Sequence, residues 1–198
     1  TFALVSGPLG LTVSPAGVVD WTPDETQGPG TNTVFISVAD TNPLAVNATS
    51  LSVTSSFQIV VSEVNLSPVA TMPANTNINE LTTLTVTNRA TDSDLPANAL
   101  SFALVNGPTG VVVNASSGVL TWTPTEEQGR STNVITVRVT DDSPLAVNAQ
   151  HLSVTNSFEV VVNEVNVAPV LTLPPSTNIS EMVAFTATAT ATDSDIPT

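Results

Sequence analysis

Hydrophobic and polar residues alternate over short runs of this 198-residue chain, and helical spacing is missing throughout. In "NVITVRVTD", Ile135, Val137 and Val139 share one face, while Val134, Thr136, Arg138 and Thr140 share the other. In "AFTATATATD", Phe185, Ala187, Ala189 and Ala191 stand opposite Thr186, Thr188, Thr190 and Thr192. "LSVTNSFEVVVNEV" is a long strand candidate. Successive side chains of a strand point to opposite faces, so this alternation predicts sheets with one face in a core. Pro, Gly, Asn and Asp cluster between the runs and mark turns.

The whole pattern repeats. "FALVSGPLGLTV" at 2–13 returns as "FALVNGPTGVVV" at 102–113, and "WTPDETQG" at 21 returns as "WTPTEEQG" at 122. "PLAVNA" at 43 and 144, "EVNLSPV" at 63 with "EVNVAPV" at 164, and "TNINE" at 76 with "TNISE" at 177 complete the set. The offset is 100 before residue 14 and 101 after it, so the unit is about 101 residues. That is the size of an immunoglobulin-like sandwich, and the expected fold is all-β: tandem antiparallel β-sandwiches with about seven strands per repeat. Cutting at the Pro-containing linkers gives three parts. Residues 1–65 are the last two-thirds of one repeat, 66–166 a complete repeat, and 167–198 the first third of another. Trp21 and Trp122, one large aromatic per repeat, are expected to anchor the cores.

The partial repeats carry a further expectation. Each alone would expose core and strand edges. Residues 167–198 are therefore expected to complete the sandwich begun by 1–65 of the next copy, through chain continuity or strand donation. Such a head-to-tail contact generates an open filament. The spacing from Asp195 to the chain's last residue, three residues against the eight from Asp94 to Phe102, reads as a two-repeat window cut from a longer periodic chain, or as a subunit whose ends complement each other.

Composition narrows the function. The net charge is -14, from 17 acids against three Arg, with no Lys and no Cys. So anionic a chain cannot neutralise nucleic-acid phosphates or an anionic membrane surface. No apolar stretch approaches the ~20 residues of a membrane-spanning helix. Disulfides, thiol catalysis, thiolate metal sites and Schiff-base chemistry are excluded. With a single His, His151, no nucleophile–base pair can be assembled twice, and no aromatic cleft flanks the acids as a glycosidase would need. The expectation is that the chain is not an enzyme. Of the sequons at Asn47, Asn65, Asn114 and Asn178, none recurs in the other repeat.

Twelve of the acids form six repeat-matched pairs: Glu25/Glu126, Asp40/Asp141, Glu63/Glu164, Glu80/Glu181, Asp92/Asp193 and Asp94/Asp195. Solubility needs only their number, whereas their places recur at the ends of predicted strands. In a sandwich such positions gather at the poles. There carboxylates either bridge a cation, Ca2+ being the natural hard ion for 6–8 oxygen ligands, or stand solvated in turns, with Asp92 and Asp193 holding Asx-turns.

"ATDSDLPANALSFAL" resembles the Asp-x-Asp strand end of cadherin repeats, "NASSGVLTWTPTEEQ" the segment around the cadherin Asp-Arg-Glu motif, and "VRVTDDSP" the strand ending in a ligand Asp. "FEVVVNEVNVAPV" resembles the linker strand. The pattern is similar to the cadherin-like and Ig-like tandem repeats of giant bacterial surface proteins. The resemblance implies calcium between consecutive repeats. The first junction would draw on Glu25, Glu63 and Asn65, then on Asp92, Asp94 and Asp141. The second would draw on Glu80, Glu126, Glu164 and Asn166, then on Asp193 and Asp195, with Asp40 of a next copy in the place of Asp141. The chain departs from the family where Leu66 and Val167 lie near the usual linker Asp, and where Asp24-Glu25-Thr26 and Thr125-Glu126-Glu127 replace Asp-Arg-Glu.

The expected role is a structural module of an extracellular filament or giant cell-surface protein, with copies of itself as partners. Two other roles stand beside it: a calcium-dependent adhesin contacting a cell-surface protein or glycan through a loop such as "DSPLAVNAQHL", and a spacer of a secreted enzyme. The near-identity of "PLAVNA" in both repeats favours a repeated structural contact.

Overall fold

A computed structural model describes residues 1–195; residues 196–198 of the expected final partial repeat lie outside the described residues. Strands and turns account for nearly all regular structure, as the alternation predicts. Residues 1–65 contribute β1 (Phe2–Ser6), β2 (Thr12–Val13), β3 (Val19–Asp20), β4 (Gly30–Ala39) and β5 (Ser52–Val61). Then follow β6 (Val69–Thr71), β7 (Thr76–Asn79), β8 (Leu84–Thr87), β9 (Arg89–Thr91), β10 (Ser101–Asn106), β11 (Val112–Val113) and β12 (Val119–Trp122). The last four are β13 (Ser131–Thr140), β14 (Ser153–Asn163), β15 (Val170–Thr172) and β16 (Thr190–Thr192).

The chain packs as two compact units. The first comprises Thr1–Val69, Ala90–Ser101 and Val139–Val154. It holds the sheet β1-β4-β5 and the hairpin β2–β3. The second comprises Ala70–Arg89, Phe102–Arg138 and Thr155 onward. It carries the bulk of the sheet β10-β13-β14-β7, the sheet β11-β12-β8 and the pair β15–β16.

Local hydrogen bonds show that the two sequence repeats fold alike. Trp21 Nε1 donates to Leu9 O at 3.1 Å and Trp122 Nε1 to Thr109 O at 3.2 Å. Gln27 Nε2 and Gln128 Nε2 donate to the same two carbonyls. Each Gln also caps a one-turn 3₁₀ helix, Glu25–Gln27 or Glu126–Gln128, by accepting the N-cap amide.

Sheet composition is where they differ. In the second unit β7 lies along the edge of β14 in parallel, pairing Val160 with Thr76 and Val162 with Ile78, and β8 lies antiparallel on β12. Leu84, Leu120, Trp122, Ile135, Phe158 and Val160 are buried there, as their alternating positions require. In the first unit the matching sheets, β1-β4-β5 and β2–β3, are each one strand short. The same core positions are consequently uncovered. Phe158 is 3% exposed and its repeat counterpart Phe57 43%; Phe102 is 8% exposed and Phe2 40%. Trp122 is buried whereas Trp21 is only half-buried, so the core-anchor expectation holds fully for Trp122 alone. Val19, Trp21, Phe57, Ile59 and Val61 line an open groove of about 560 Å³.

The alternation at 185–192 predicts one strand, but only Thr190–Thr192 is a strand. Its partner is β15, with Val170 opposite Thr192. Residues 185–188, counterparts of β8, are exposed and unpaired among the described residues. A strand needs a neighbour for its backbone groups, and alternation alone supplies none.

Candidate functional site

Two carboxylate constellations form, one in each unit. In the first, Glu25 comes from the 3₁₀ turn after Trp21, Glu63 from just beyond β5, and Asp94 from the loop after β9. One oxygen from each lies within 4.8 Å of the others. In the second, Glu126, Glu164 and Glu80 meet in the same way, from the 3₁₀ turn after Trp122, from beyond β14 and from beyond β7. The strand ends place these residues, as their repeat positions suggested.

Backbone amides orient the carboxylates. Asp94 Oδ1 and Oδ2 accept from Leu66 N at 3.1 Å, and Asp195 Oδ2 accepts from Val167 N at 2.7 Å. Asp92 Oδ1 and Asp193 Oδ1 accept from the amides of Asp94 and Asp195, closing matched Asx-turns. These bonds are the Asx-turns expected of Asp92 and Asp193. Glu25 Oε1 accepts from Leu95 N at 3.0 Å, and Glu80 Oε1 accepts from Val165 N at 2.8 Å.

Several other oxygens find no donor among the described residues. Glu63 Oε1, Asp92 Oδ2 and Asp141 Oδ2 in the first unit are buried without a partner. So are Glu80 Oε2, Glu126 Oε1, Glu164 Oε2 and Asp195 Oδ1 in the second. Glu63 and Glu80 are 4% and 2% exposed. Buried, unpaired, converging anionic oxygens are costly unless a cation joins them, and this all-oxygen donor set fits Ca2+. Gly129 leaves the second constellation its room, since a Cβ there would collide with Glu80 Oε2 and Glu164 Oε2.

Electrostatics agree. Burial, then Glu25 and Asp94, push the Glu63 carboxyl above its ordinary 4.5. Burial raises Asp94 against the Leu66 amide, with Asp92 and Glu25 adding to the rise. Glu164 is raised by desolvation and by Glu80, Glu126 and Asp195, while Arg130 opposes. A carboxyl whose folded pKa is raised lends its full stability below the ordinary value and loses it as pH rises through the folded value. In chelator, therefore, taking the protein from pH 7 toward pH 5 is expected to raise its melting temperature; a fall would contradict the crowding described.

Not every expected ligand joins. Asn65 is buried, but its Nδ2 donates to Asp141 Oδ1 and Ala149 O, and its Oδ1 accepts from Asn98. Asp141 Oδ1 also takes the Leu152 amide at 2.7 Å, leaving Oδ2 as its open oxygen. Asn166, Asp193 and Asp40 are exposed, and Asp40 Oδ1 accepts from Leu51 N rather than meeting other acids among the described residues. Asn98 and Asn148 were not foreseen. Asn98 Nδ2 donates to Asp94 Oδ2 at 2.6 Å, and Asn148 Oδ1 accepts from Asn65 N at 2.9 Å. The recurrence of Asn148 within "PLAVNA" was its only signal; Asn98 had none in so Asn-rich a chain.

Residues 65–155 match the family model described as a bacterial Ig domain. Among solved structures, the fold is similar to mouse cadherin-23 EC22-24, with TM-score 0.59 and 15% identity over 85% of this chain and 56% of that one. It is also similar to Drosophila N-cadherin EC1-4, with TM-score 0.53 and 20% identity over 86% and 43%. Human protocadherin-24 EC1-2 gives TM-score 0.53 and 19% identity over 82% and 80%. The chain thus spans about half the length of the first two fragments. No curated protein sequence matches it. The fold is an Ig/cadherin-like β-sandwich, and the Ig-like and cadherin-like resemblance seen in the motifs stands. Among the described residues no helix is long and apolar enough to cross a membrane.

Proposed function

We propose that the chain is a structural repeat module of an extracellular filament or large cell-surface protein, non-catalytic, assembling head to tail. One observation carries the reading. The two sheets built from residues 1–65 each lack one strand, and the residues that match the missing strands lie exposed elsewhere in the chain.

In residues 66–166 those strands are β7 and β8. Their counterparts are 177–180 and 185–188, where Ile179 and Phe185 are 56% and 54% exposed. Carrying the β14–β7 register over by the 101-residue offset sets Ile59 beside Thr177, Val60 beside Asn178, Val61 beside Ile179 and Ser62 beside Ser180. The donor would be a matching segment, supplied by chain continuity or by a second copy of the chain. Its strand would satisfy the free edge of β5 and drop apolar side chains into the groove over Phe57 and Trp21. Because donor and acceptor surfaces differ, the contact is heterologous and the product open-ended.

The carboxylate constellations support a further part of the reading: Glu25, Glu63 and Asp94, with Asp92 bonded to the Asp94 amide and Asp141 bonded to Asn65, would hold one Ca2+ group, and Glu80, Glu126, Glu164 and Asp195 another. A bound cation would cancel the repulsion at the strand ends and stiffen the repeats there. Electron microscopy of the chain with millimolar Ca2+ and with a chelator tests both parts. Filaments of beads, each about 100 residues, are expected with Ca2+. Soluble monomers in both conditions would overturn the assembly. Filaments indifferent to chelation would retain the assembly and remove the metal.

A further inference from the structure

We infer that the loop carrying Asn148 is a latch that grips the linker entering the second repeat by direct protein contacts, with no cation involved. The inference goes beyond the assembly reading and does not rest on it, since every residue concerned lies within the first compact unit. It starts from one buried polar residue. Asn65 is 2% exposed, and a buried amide, carbonyl or carboxamide must find partners. Its main-chain N and O and its side-chain Oδ1 and Nδ2 all do so within the protein.

The side-chain carboxamide of Asn148 serves both main-chain groups. Its Oδ1 accepts from Asn65 N at 2.9 Å, and its Nδ2 donates to Asn65 O at 2.9 Å. A carboxamide carries the donor and acceptor of a peptide group, so Asn148 meets Asn65 as a residue of a neighbouring strand would. Further bonds extend the pairing on either side. Glu63 and Ala146 form a parallel bridge, with Val147 N donating to Glu63 O at 3.0 Å. Asn65 Nδ2 donates to Ala149 O at 2.9 Å. None of these four bonds uses a carboxylate, so the latch should hold at low Ca2+.

The loop makes its own shape. Ser143 and Pro144 open a β-turn closed by Ala146 N donating to Ser143 O at 3.1 Å, and Ser143 N donates to Gln150 O at 2.9 Å. The loop of the first repeat makes the matching bonds, Ala45 N to Asn42 O at 3.1 Å and Asn42 N to Thr49 O at 2.8 Å. The turn is therefore a property of the loop's sequence, and little order remains to be imposed when Asn148 meets the linker. The recurrence of "PLAVNA" then has a physical reason: its Asn reads a linker main chain instead of a foreign partner.

Amide hydrogen exchange, read by NMR on the full chain in chelator, tests the latch with Asn148→Ala and Asn47→Ala as variants. In wild type the Asn65 and Val147 amides should be protected. Asn148→Ala should speed exchange at Asn65 about tenfold, as expected when a locally opening segment loses two ordinary hydrogen bonds. The Ile135 and Val137 amides of β13 should keep their rates. Asn47→Ala, the same change in the other copy of the loop, should leave Asn65 as it was. Asn65 and Val147 amides that are unprotected in wild type, or protected only when Ca2+ is added, overturn the inference and leave the cation reading standing. Exchange at Asn65 that Asn148→Ala does not change, or that Asn47→Ala speeds equally, overturns it as well. So does an acceleration shared by Ile135 and Val137, which would make Asn148 a support of the whole fold. None of these outcomes turns on whether chains assemble.

Discussion

Phe158→Ala is expected to destabilise the isolated chain by about 3–5 kcal/mol, and Phe57→Ala by less than half as much. The two residues occupy the same repeat position on equivalent strands, β14 and β5. What separates them is cover: 3% against 43% exposed. A buried Phe loses both its transfer free energy and the packing around it when truncated, whereas an uncovered one leaves no cavity. Chemical denaturation of the two variants measures the difference. In assembled material the gap should close, because the donated strand would bury Phe57 as β7 and β8 help to bury Phe158. Equal losses in the isolated chain would mean that the first core is already complete.

The second large effect is a change of sign. With saturating Ca2+, Glu164→Gln should lower the melting temperature; in chelator the same change should raise it or leave it unchanged. Glu164 carries an unpartnered oxygen among Glu80, Glu126 and Asp195, so without a cation its charge is a liability. With a cation it would be a ligand, and a ligand that binds only the folded chain stabilises it. Thermal melts of wild type and variant, each with Ca2+ and with chelator, give the four numbers needed. A variant that behaves alike in both conditions would remove the cation from the account.

Much of this was legible in the sequence because the chain states it twice. Period-2 alternation in "NVITVRVTD" predicted β13 and its buried Ile135 and Val137, and the repeat-matched acids marked the strand ends that become the two constellations. The repeat could not show the environment each copy meets. Trp21 and Trp122 share a motif and an indole hydrogen bond, yet only Trp122 is fully covered. "AFTATATATD" has an unbroken alternation, but strand formation depends on a partner edge, and only Thr190–Thr192 finds one among the described residues. Asn65 and Asn166 are sequence equivalents, but Asn65 is buried because Asp141, Asn148 and Asn98 surround it, and those partners come from distant loops.

The most direct test of head-to-tail completion is a disulfide across the inferred strand pair. The chain contains no Cys, so Val61→Cys and Ile179→Cys together introduce the only two thiols. Neighbouring strands lie about 4.7–4.9 Å apart, within the Cα separation a disulfide tolerates. Mild oxidation followed by non-reducing electrophoresis should give a ladder at multiples of the chain mass, and Ile179→Asp chains carrying Val61→Cys alone should not enter it. Monomer as the sole product, under conditions that oxidise both thiols, would contradict completion of one chain's sandwich by the next.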